Sequence, residues 1–177
     1  PRNDELINNN NPEFIKNLKL NIGIPLDKKV VLYAPTYRQA GKLDFEMDLK
    51  VMQDKLADDY VVLVRLHHLV ANAIDIHEFE GFAYDLSAYP NIADLYLIAD
   101  VLITDYSSVM FDYGYLKRPM IFFAYDLDWY LDDSNRGVYL DYVKTVPGPI
   151  ARSTEQIIHY LQKPDKLEAE YGSKLEW

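Results

Sequence analysis

Short runs of apolar, largely β-branched residues punctuate the chain, and between them apolar positions recur every three or four residues. Lys28–Pro35 (KKVVLYAP), Tyr60–Leu66 (YVVLVRL), Phe82–Leu86 (FAYDL), Val101–Thr104 (VLIT) and Met120–Ala124 (MIFFA) read as strands. Val30–Ala34 is apolar at every position, the pattern of a central strand covered on both faces of a parallel sheet. Helical spacing appears over Pro12–Leu20, closed by Gly23 with Pro25 beyond it, over Phe45–Leu56 and over Ile92–Ala99. It returns in Val109, Met110, Tyr113 and Leu116, a helix carried to Lys117 and stopped by Pro119. Ser153–Leu161 opens with a capping box, Ser-Thr-Glu-Gln, and Pro164–Trp177 reads as a final helix. Tyr125–Asp133 reads as an acidic, aromatic loop, Arg136–Val138 as a turn and Val146–Ile150 as a rigid loop.

Strands alternating with helices predict an α/β fold, a Rossmann-like parallel sheet with helices on both faces. One such domain accounts for residues 1–177, a length that supports a sizeable core. Residues 1–11 read as a linking segment. The chain opens without Met and runs through Asn8–Asn11 before Pro12, the character of a piece cut from a longer protein.

Composition narrows the function. Apolar residues make up 49% of the chain, which argues for a folded globule. No cysteine is present, so disulfides and thiolate metal sites are excluded, in keeping with a cytosolic setting. No apolar run approaches the roughly 20 residues that span a bilayer. The net charge of −10 argues against a nucleic-acid surface and against general attraction to anionic lipid. An anion site in such a chain has to be local.

The candidate chemistry lies where predicted strands end, because ligands bind at the carboxyl edge of open α/β sheets. After Val101–Thr104 comes Asp105-Tyr106-Ser107-Ser108, whose hydroxyls and amides suit an anionic group such as phosphate; capping of the following helix accounts for the same serines. After Lys28–Pro35 comes the loop Thr36–Lys42, where Arg38 is placed for phosphate contact and Lys42 reads as a solvated loop residue. After Tyr60–Leu66 stand His67 and His68. An imidazole there carries a proton near neutral pH or donates to a phosphate oxygen. Arg65 shares a face with His67 if the strand continues, and His68 points the other way. His77 and His159 read as surface residues, and Asp94 and Asp100 as solvated or capping acids. The acids of Tyr125–Asp133 lack calcium-loop spacing and read as solvated. Neither a P-loop nor G-x-G-x-x-G is present, which weakens ATPase and nicotinamide-dehydrogenase readings.

The order IGIPLDKKVVLYAPTYR, then RLHH, then DLYLIADVLITDYSSVMFDYGYLKRPMIFF, closely resembles the CDP-glycerol glycerophosphotransferase family, which builds the polyol-phosphate chains of teichoic acids in Gram-positive bacteria. The resemblance covers most of the chain, roughly from Asn17 to Gln162, and the combination of ITDYSS, FDY and KRP is more specific than any one of them. It implies one half of a GT-B fold, the carboxyl-terminal, nucleotide-binding half, with the amino-terminal half as partner. It implies transfer of glycerol phosphate from CDP-glycerol to a lipid-linked polyol-phosphate acceptor with release of CMP. No cofactor is expected beside that substrate, and the sequence shows no carboxylate cluster that clearly holds a metal, so no firm metal requirement is visible. It implies His67 as the catalytic residue, Arg38, Arg65, Ser107 and Ser108 as diphosphate contacts, and Asp112 with Asp105 on the ribose and nucleotide. Asp112 also reads as a helix-surface acid paired with Lys117. His68 departs from the proline frequent in related R-x-H-P patterns. The resemblance further implies a cytoplasmic protein, peripheral on the inner face of the membrane. A CDP-ribitol or other nucleotide-donor transferase keeps the same fold. A non-catalytic flavodoxin-like module is disfavoured in its response-regulator form, because Ala34-Pro35-Thr36-Tyr37 carries no acid after the first strand.

Overall fold

The computed structural model describes residues 3–36, 45–67, 75–131 and 142–175. In chain order the elements are α1 (Asp4–Asn8), α2 (Pro12–Ile22), β1 (Lys29–Tyr33), α3 (Leu49–Leu56), β2 (Tyr60–Val64), β3 (Ala83–Asp85), α4 (Ile92–Ile98), β4 (Val101–Thr104), α5 (Val109–Gly114), β5 (Met120–Phe123), α6 (Leu127–Leu131), α7 (Tyr142–Thr145), β6 (Ile150–Ala151), α8 (Thr154–Leu161) and α9 (Pro164–Tyr171).

The strands form one parallel sheet in the order β3-β2-β1-β4-β5-β6. This is the Rossmann-type order, with its reversal between β1 and β4. Alternation along each strand divides the core into two layers. Val30, Leu32, Val61, Leu63, Leu102, Met120 and Phe122 face the layer closed by α1, α2, α4, α5 and α7. Val31, Tyr33, Val62, Val64, Ile103, Ile121 and Phe123 face the layer closed by α3, α8 and α9. The uniform burial of β2, β4 and β5 follows from that double cover.

The five predicted strands are all present, and the sixth is a departure. The expected rigid loop Val146–Ile150 runs into the two-residue β6, where Phe122 N donates to Pro149 O at 2.8 Å. The loop approaches β5 closely at Gly148: a Cβ added there would lie 2.2 Å from Met120 O.

Helix boundaries differ where a local bond decides them. α2 ends as predicted, with Gly23 at φ 85°. The helix expected from Phe45 begins only at Leu49, because Asp48 is its cap and accepts from Val51 N at 3.0 Å. The helix expected to reach Lys117 ends at Gly114. It decays through three-residue turns, and Lys117 adopts φ 52° before Arg118-Pro119. The acidic aromatic loop contains α6, α1 interrupts the expected linking segment, and α7 was not foreseen. Neither Asp94 nor Asp100 is merely solvated: Asp94 accepts from Tyr89 Oη at 2.9 Å, and Asp100 Oδ2 accepts from Val30 N at 2.7 Å, fixing the start of β1. The expected capping box of α8 is formed in half: Ser153 Oγ accepts from Gln156 N at 3.3 Å, but Gln156 Oε1 accepts from Arg152 N, one residue before the cap, and not from Ser153 N.

Candidate functional site

The carboxyl edges of β2, β1 and β4 lie side by side, and the loops that leave them collect the candidate residues. Thr36, at the exit of β1, is bonded to Asp105, at the exit of β4. Asp105 Oδ1 accepts from Thr36 N at 2.8 Å and from Thr36 Oγ1 at 2.7 Å. Beneath them Thr104 Oγ1 donates to Ala34 O at 2.7 Å, and Ala34 N donates to Ile103 O at 2.9 Å. The switch point of the sheet is thus closed by a polar seam.

That seam changes the reading of Asp105. Expected on the ribose or nucleotide, it is 2% exposed, and its Oδ1 is directed to Thr36. A carboxylate so buried and bonded between two strands offers little surface to a ligand. In this structure it ties the exits of β1 and β4 together.

Arg65, expected on the diphosphate, is also engaged elsewhere. Its Nη1 donates to Leu86 O at 2.8 Å, to Ser87 O at 2.9 Å and to Tyr89 O. The guanidinium reaches sideways to the carbonyls of the turn after β3 instead of outward over the sheet edge. Burial lowers its pKa from the ordinary value, with a smaller opposing contribution from Tyr96.

The remaining candidates stand differently. His67 is exposed at the end of the segment that continues β2. Ser107 is partly exposed, and its Oγ accepts from Val109 N at a long 3.4 Å. Ser108 is exposed and occupies the cap position of α5, yet its side chain makes no capping hydrogen bond. Asp112 is half-buried in the first turn of α5. The strands that lead to His67 and to the serine turn, β2 and β4, are separated by β1 and so stand about 10 Å apart in the sheet. Arg38, Lys42, His68 and the turn Arg136–Val138 lie outside the described residues. His77 and His159 are exposed, as expected.

Sequence reasoning did not single out three features near this edge. Thr36 completes the seam; a hydroxyl directly after a strand is its only local signal. Ser87, 7% exposed, accepts from Leu66 N through Oγ at 3.0 Å. Tyr106, inside the serine turn, stacks on Tyr130 with ring centroids 3.4 Å apart and donates to Asp126 Oδ1 at 3.1 Å, while Tyr142 Oη donates to Asp105 O at 3.2 Å. The serine turn is thereby clamped from the β5 side. Farther out, Arg152 pairs with Asp128 through two bonds of 2.7 and 3.1 Å, which lowers the Asp128 pKa and raises that of Arg152. A cavity of about 400 Å³ lined by Asp27, Lys29, Lys55, Asp59 and Gln162 opens at the opposite, amino-terminal edge of the sheet. Among the described residues no cluster of three or more His, Asp or Glu is placed to hold a metal ion, and no helix is long and apolar enough to cross a membrane.

The sequence matches the model of the CDP-glycerol:poly(glycerophosphate) glycerophosphotransferase family over residues 1–177. The chain belongs to this family. It is 49% identical to a teichoic acid glycerol-phosphate transferase of Staphylococcus aureus, across 97% of this chain and 45% of that protein. It is 39% identical to a teichoic acid poly(ribitol-phosphate) polymerase of Bacillus spizizenii, across 92% of this chain and 27% of that protein. The solved wall teichoic acid polymerase TagF superposes with a TM-score of 0.92 at 44% identity, over 99% of this chain and 44% of that one. The chain therefore spans between about a quarter and just under half of the length of these relatives.

Proposed function

We propose that this chain supplies the donor-binding half of a two-domain CDP-glycerol glycerophosphotransferase, which moves glycerol phosphate from CDP-glycerol onto a growing polyol-phosphate chain and releases CMP. The supporting observation is that the family match runs the whole length of the chain, while the edge of its sheet presents Ser108 without a capping bond beside a fixed switch point.

The reaction is a substitution at phosphorus. A hydroxyl oxygen of the acceptor bonds to the phosphorus that carries glycerol, and its proton passes to water. The bond from that phosphorus to the bridging oxygen breaks, and the electron pair leaves on CMP. Such chemistry is driven by positioning and by stabilising charge on the leaving group. His67 is assigned to the leaving phosphate, as a hydrogen-bond or proton donor. Ser107 and Ser108 contact the diphosphate with hydroxyls and amides, joined by Arg38. Asp112 accepts from the ribose hydroxyls. Arg65 and Asp105 support the edge without touching the donor. A substitution at phosphorus calls for no redox or carbonyl cofactor. The nucleotide donor places the reaction in the cytoplasm, with the lipid-linked acceptor reached at the inner face of the membrane.

CDP-ribitol is the second donor to consider, given the likeness to a ribitol-phosphate polymerase; the higher identity to a glycerol-phosphate transferase favours CDP-glycerol. Calorimetric titration with CDP, UDP and ADP, together with CMP release from CDP-glycerol and CDP-ribitol by the whole protein, tests the reading. Preference for CDP that weakens in His67→Ala and Asp112→Ala is expected. Equal binding of the three nucleotides, unchanged by Asp112→Ala, removes the ribose assignment. No CMP release from either donor overturns the activity.

A further inference from the structure

The segment that delivers His67 to the sheet edge is anchored by side chains more than by strand pairing. Arg65 N still donates to Tyr33 O at 2.8 Å, and Leu86 N to Val64 O at 2.9 Å, so the ladders on both sides of β2 extend just past its end. The next amide, that of Leu66, is bonded to a side chain instead: it donates to Ser87 Oγ at 3.0 Å inside the protein, with Leu66 5% exposed and Ser87 7% exposed. Ser87 is bound on three sides. Its N–H donates to Asp85 Oδ1 at 2.9 Å, its carbonyl accepts from Arg65 Nη1 at 2.9 Å, and its hydroxyl holds Leu66. Arg65 Nη1 also draws in Leu86 O and Tyr89 O, which gathers the turn after β3 around the exit of β2. Leu66 thus has two fixed points, a buried side chain and a bonded amide, and the residue attached to it is the exposed His67.

We propose that Ser87 is a positioning residue for His67, acting through the Leu66 amide; this rests on the donor-site reading above. Ser87 does not touch the donor. Its hydroxyl fixes the peptide that sets where the imidazole stands, and a reacting group displaced by about an ångström loses on the order of a hundredfold in rate. Among the members of this knot, the Ser87 hydroxyl can be deleted without removing a charge or altering the backbone.

The experiment compares wild type, Ser87→Ala, His67→Ala and the double variant in the whole protein, with kcat and KM for CDP-glycerol as readouts. Ser87→Ala is expected to lower kcat by about 10- to 100-fold with KM changed less than about threefold. In the His67→Ala background the same substitution is expected to change kcat by less than about twofold, because groups that act as one unit are not additive. Ser87→Thr, which keeps the acceptor oxygen, is expected to recover most of the lost rate. An equal loss in both backgrounds overturns the proposal, since the serine then acts on the fold alone; an unchanged kcat in Ser87→Ala overturns it as well. A second readout is independent of activity. In Ser87→Ala, amide exchange at Leu66 is expected to accelerate about tenfold or more, and the His67 ring resonances to shift, with other core amides unaffected. If His67→Ala leaves turnover intact, the donor-site reading fails, and the Leu66 exchange and His67 resonances still decide whether Ser87 holds this segment; no change in them overturns the positioning claim.

Discussion

Asp105 Oδ1 accepts from both the amide and the hydroxyl of Thr36, at 2.8 and 2.7 Å, so the exits of β4 and β1 are bonded across the point where the sheet reverses its order. The carboxylate is 2% exposed, and deleting it strands a donor in the seam. Asp105→Ala is expected to destabilise the protein by about 1.5–3 kcal/mol, the range for losing a hydrogen bond to a charged group. Asp105→Asn keeps an acceptor and is expected to cost less. Urea unfolding of both variants measures this; an Asp105→Ala protein as stable as wild type would show that the seam adds nothing.

Ser107 and Ser108 separate a ligand role from a capping role. A cap contributes roughly 1 kcal/mol of stability when formed, but Ser108 forms none, and the Ser107 contact is long at 3.4 Å. The double Ser107→Ala, Ser108→Ala variant is expected to unfold within about 0.5 kcal/mol of wild type. Its affinity for CDP-glycerol is expected to drop about tenfold or more, the loss of a hydrogen bond to a charged oxygen. A stability loss with unchanged affinity would return these serines to capping.

Arg118, in the KRP motif, closes the end of a helix. Its Nη1 donates to Leu97 O and Ala99 O, each at 2.7 Å, and its Nη2 to Asn10 Oδ1 at 3.0 Å. Carbonyls at a helix end have no intrahelical partner, and a guanidinium supplies several donors in a fixed plane. Arg118→Ala is expected to destabilise by about 2–3 kcal/mol. Arg118→Lys is expected to recover only part of this, since one ammonium cannot reach both α4 and Asn10. Thermal unfolding of the two variants distinguishes them; equal midpoints for wild type and Arg118→Ala would rule out the closure.

Strand identity was legible because Val30–Leu32, Val61–Val64 and Val101–Ile103 are covered on both faces and so are apolar at every position. β6 was not, because two residues carry no period. Helix starts were misjudged where the cap lay inside the apolar pattern, as Asp48 does. At the sheet edge, the positions of the serine turn and of His67 were legible, since each directly follows a predicted strand. The bonds that Asp105 and Arg65 make inside the fold were not legible, because their residue types suit a ligand while their partners are distant in sequence: Thr36 is 69 residues from Asp105, and the carbonyls that hold Arg65 are 21 to 24 residues away. Ser87 gave no local signal for the same reason.

Gly148 has the least room of the glycines described. Any Cβ would stand 2.2 Å from Met120 O and 3.1 Å from the Phe122 ring, so β5 or the loop must shift. Gly148→Ala is expected to destabilise by about 1–3 kcal/mol, the cost of overpacking a dense core. Gly172→Ala meets nothing within 4 Å and serves as the control in the same chemical-unfolding series.

Tyr113 gives the fold an alkaline limit. It is fully buried, donates to Ala99 O at 3.1 Å and packs edge-on against Tyr96 at 6.0 Å between ring centroids. Burial pushes its pKa far above the ordinary tyrosine value, with Arg118 opposing and Asp100 adding to the rise. The unfolded chain releases this proton near pH 10, and the folded one holds it. The contribution to stability is therefore whole below about pH 10 and is lost as the pH climbs from there toward the folded pKa, by up to about 1.4 kcal/mol per pH unit. Tyr60, whose pKa is also raised chiefly by burial, adds to the same slope. Tyr113→Phe removes the hydrogen bond, at about 1 kcal/mol near neutral pH, and also removes the titration. Urea unfolding between pH 8 and pH 11.5 is expected to show wild type falling more steeply than Tyr113→Phe, with the gap between them closing above about pH 10 and then reversing. Parallel curves over that range would mean that the Tyr113 hydroxyl ionises equally in the folded and unfolded chains.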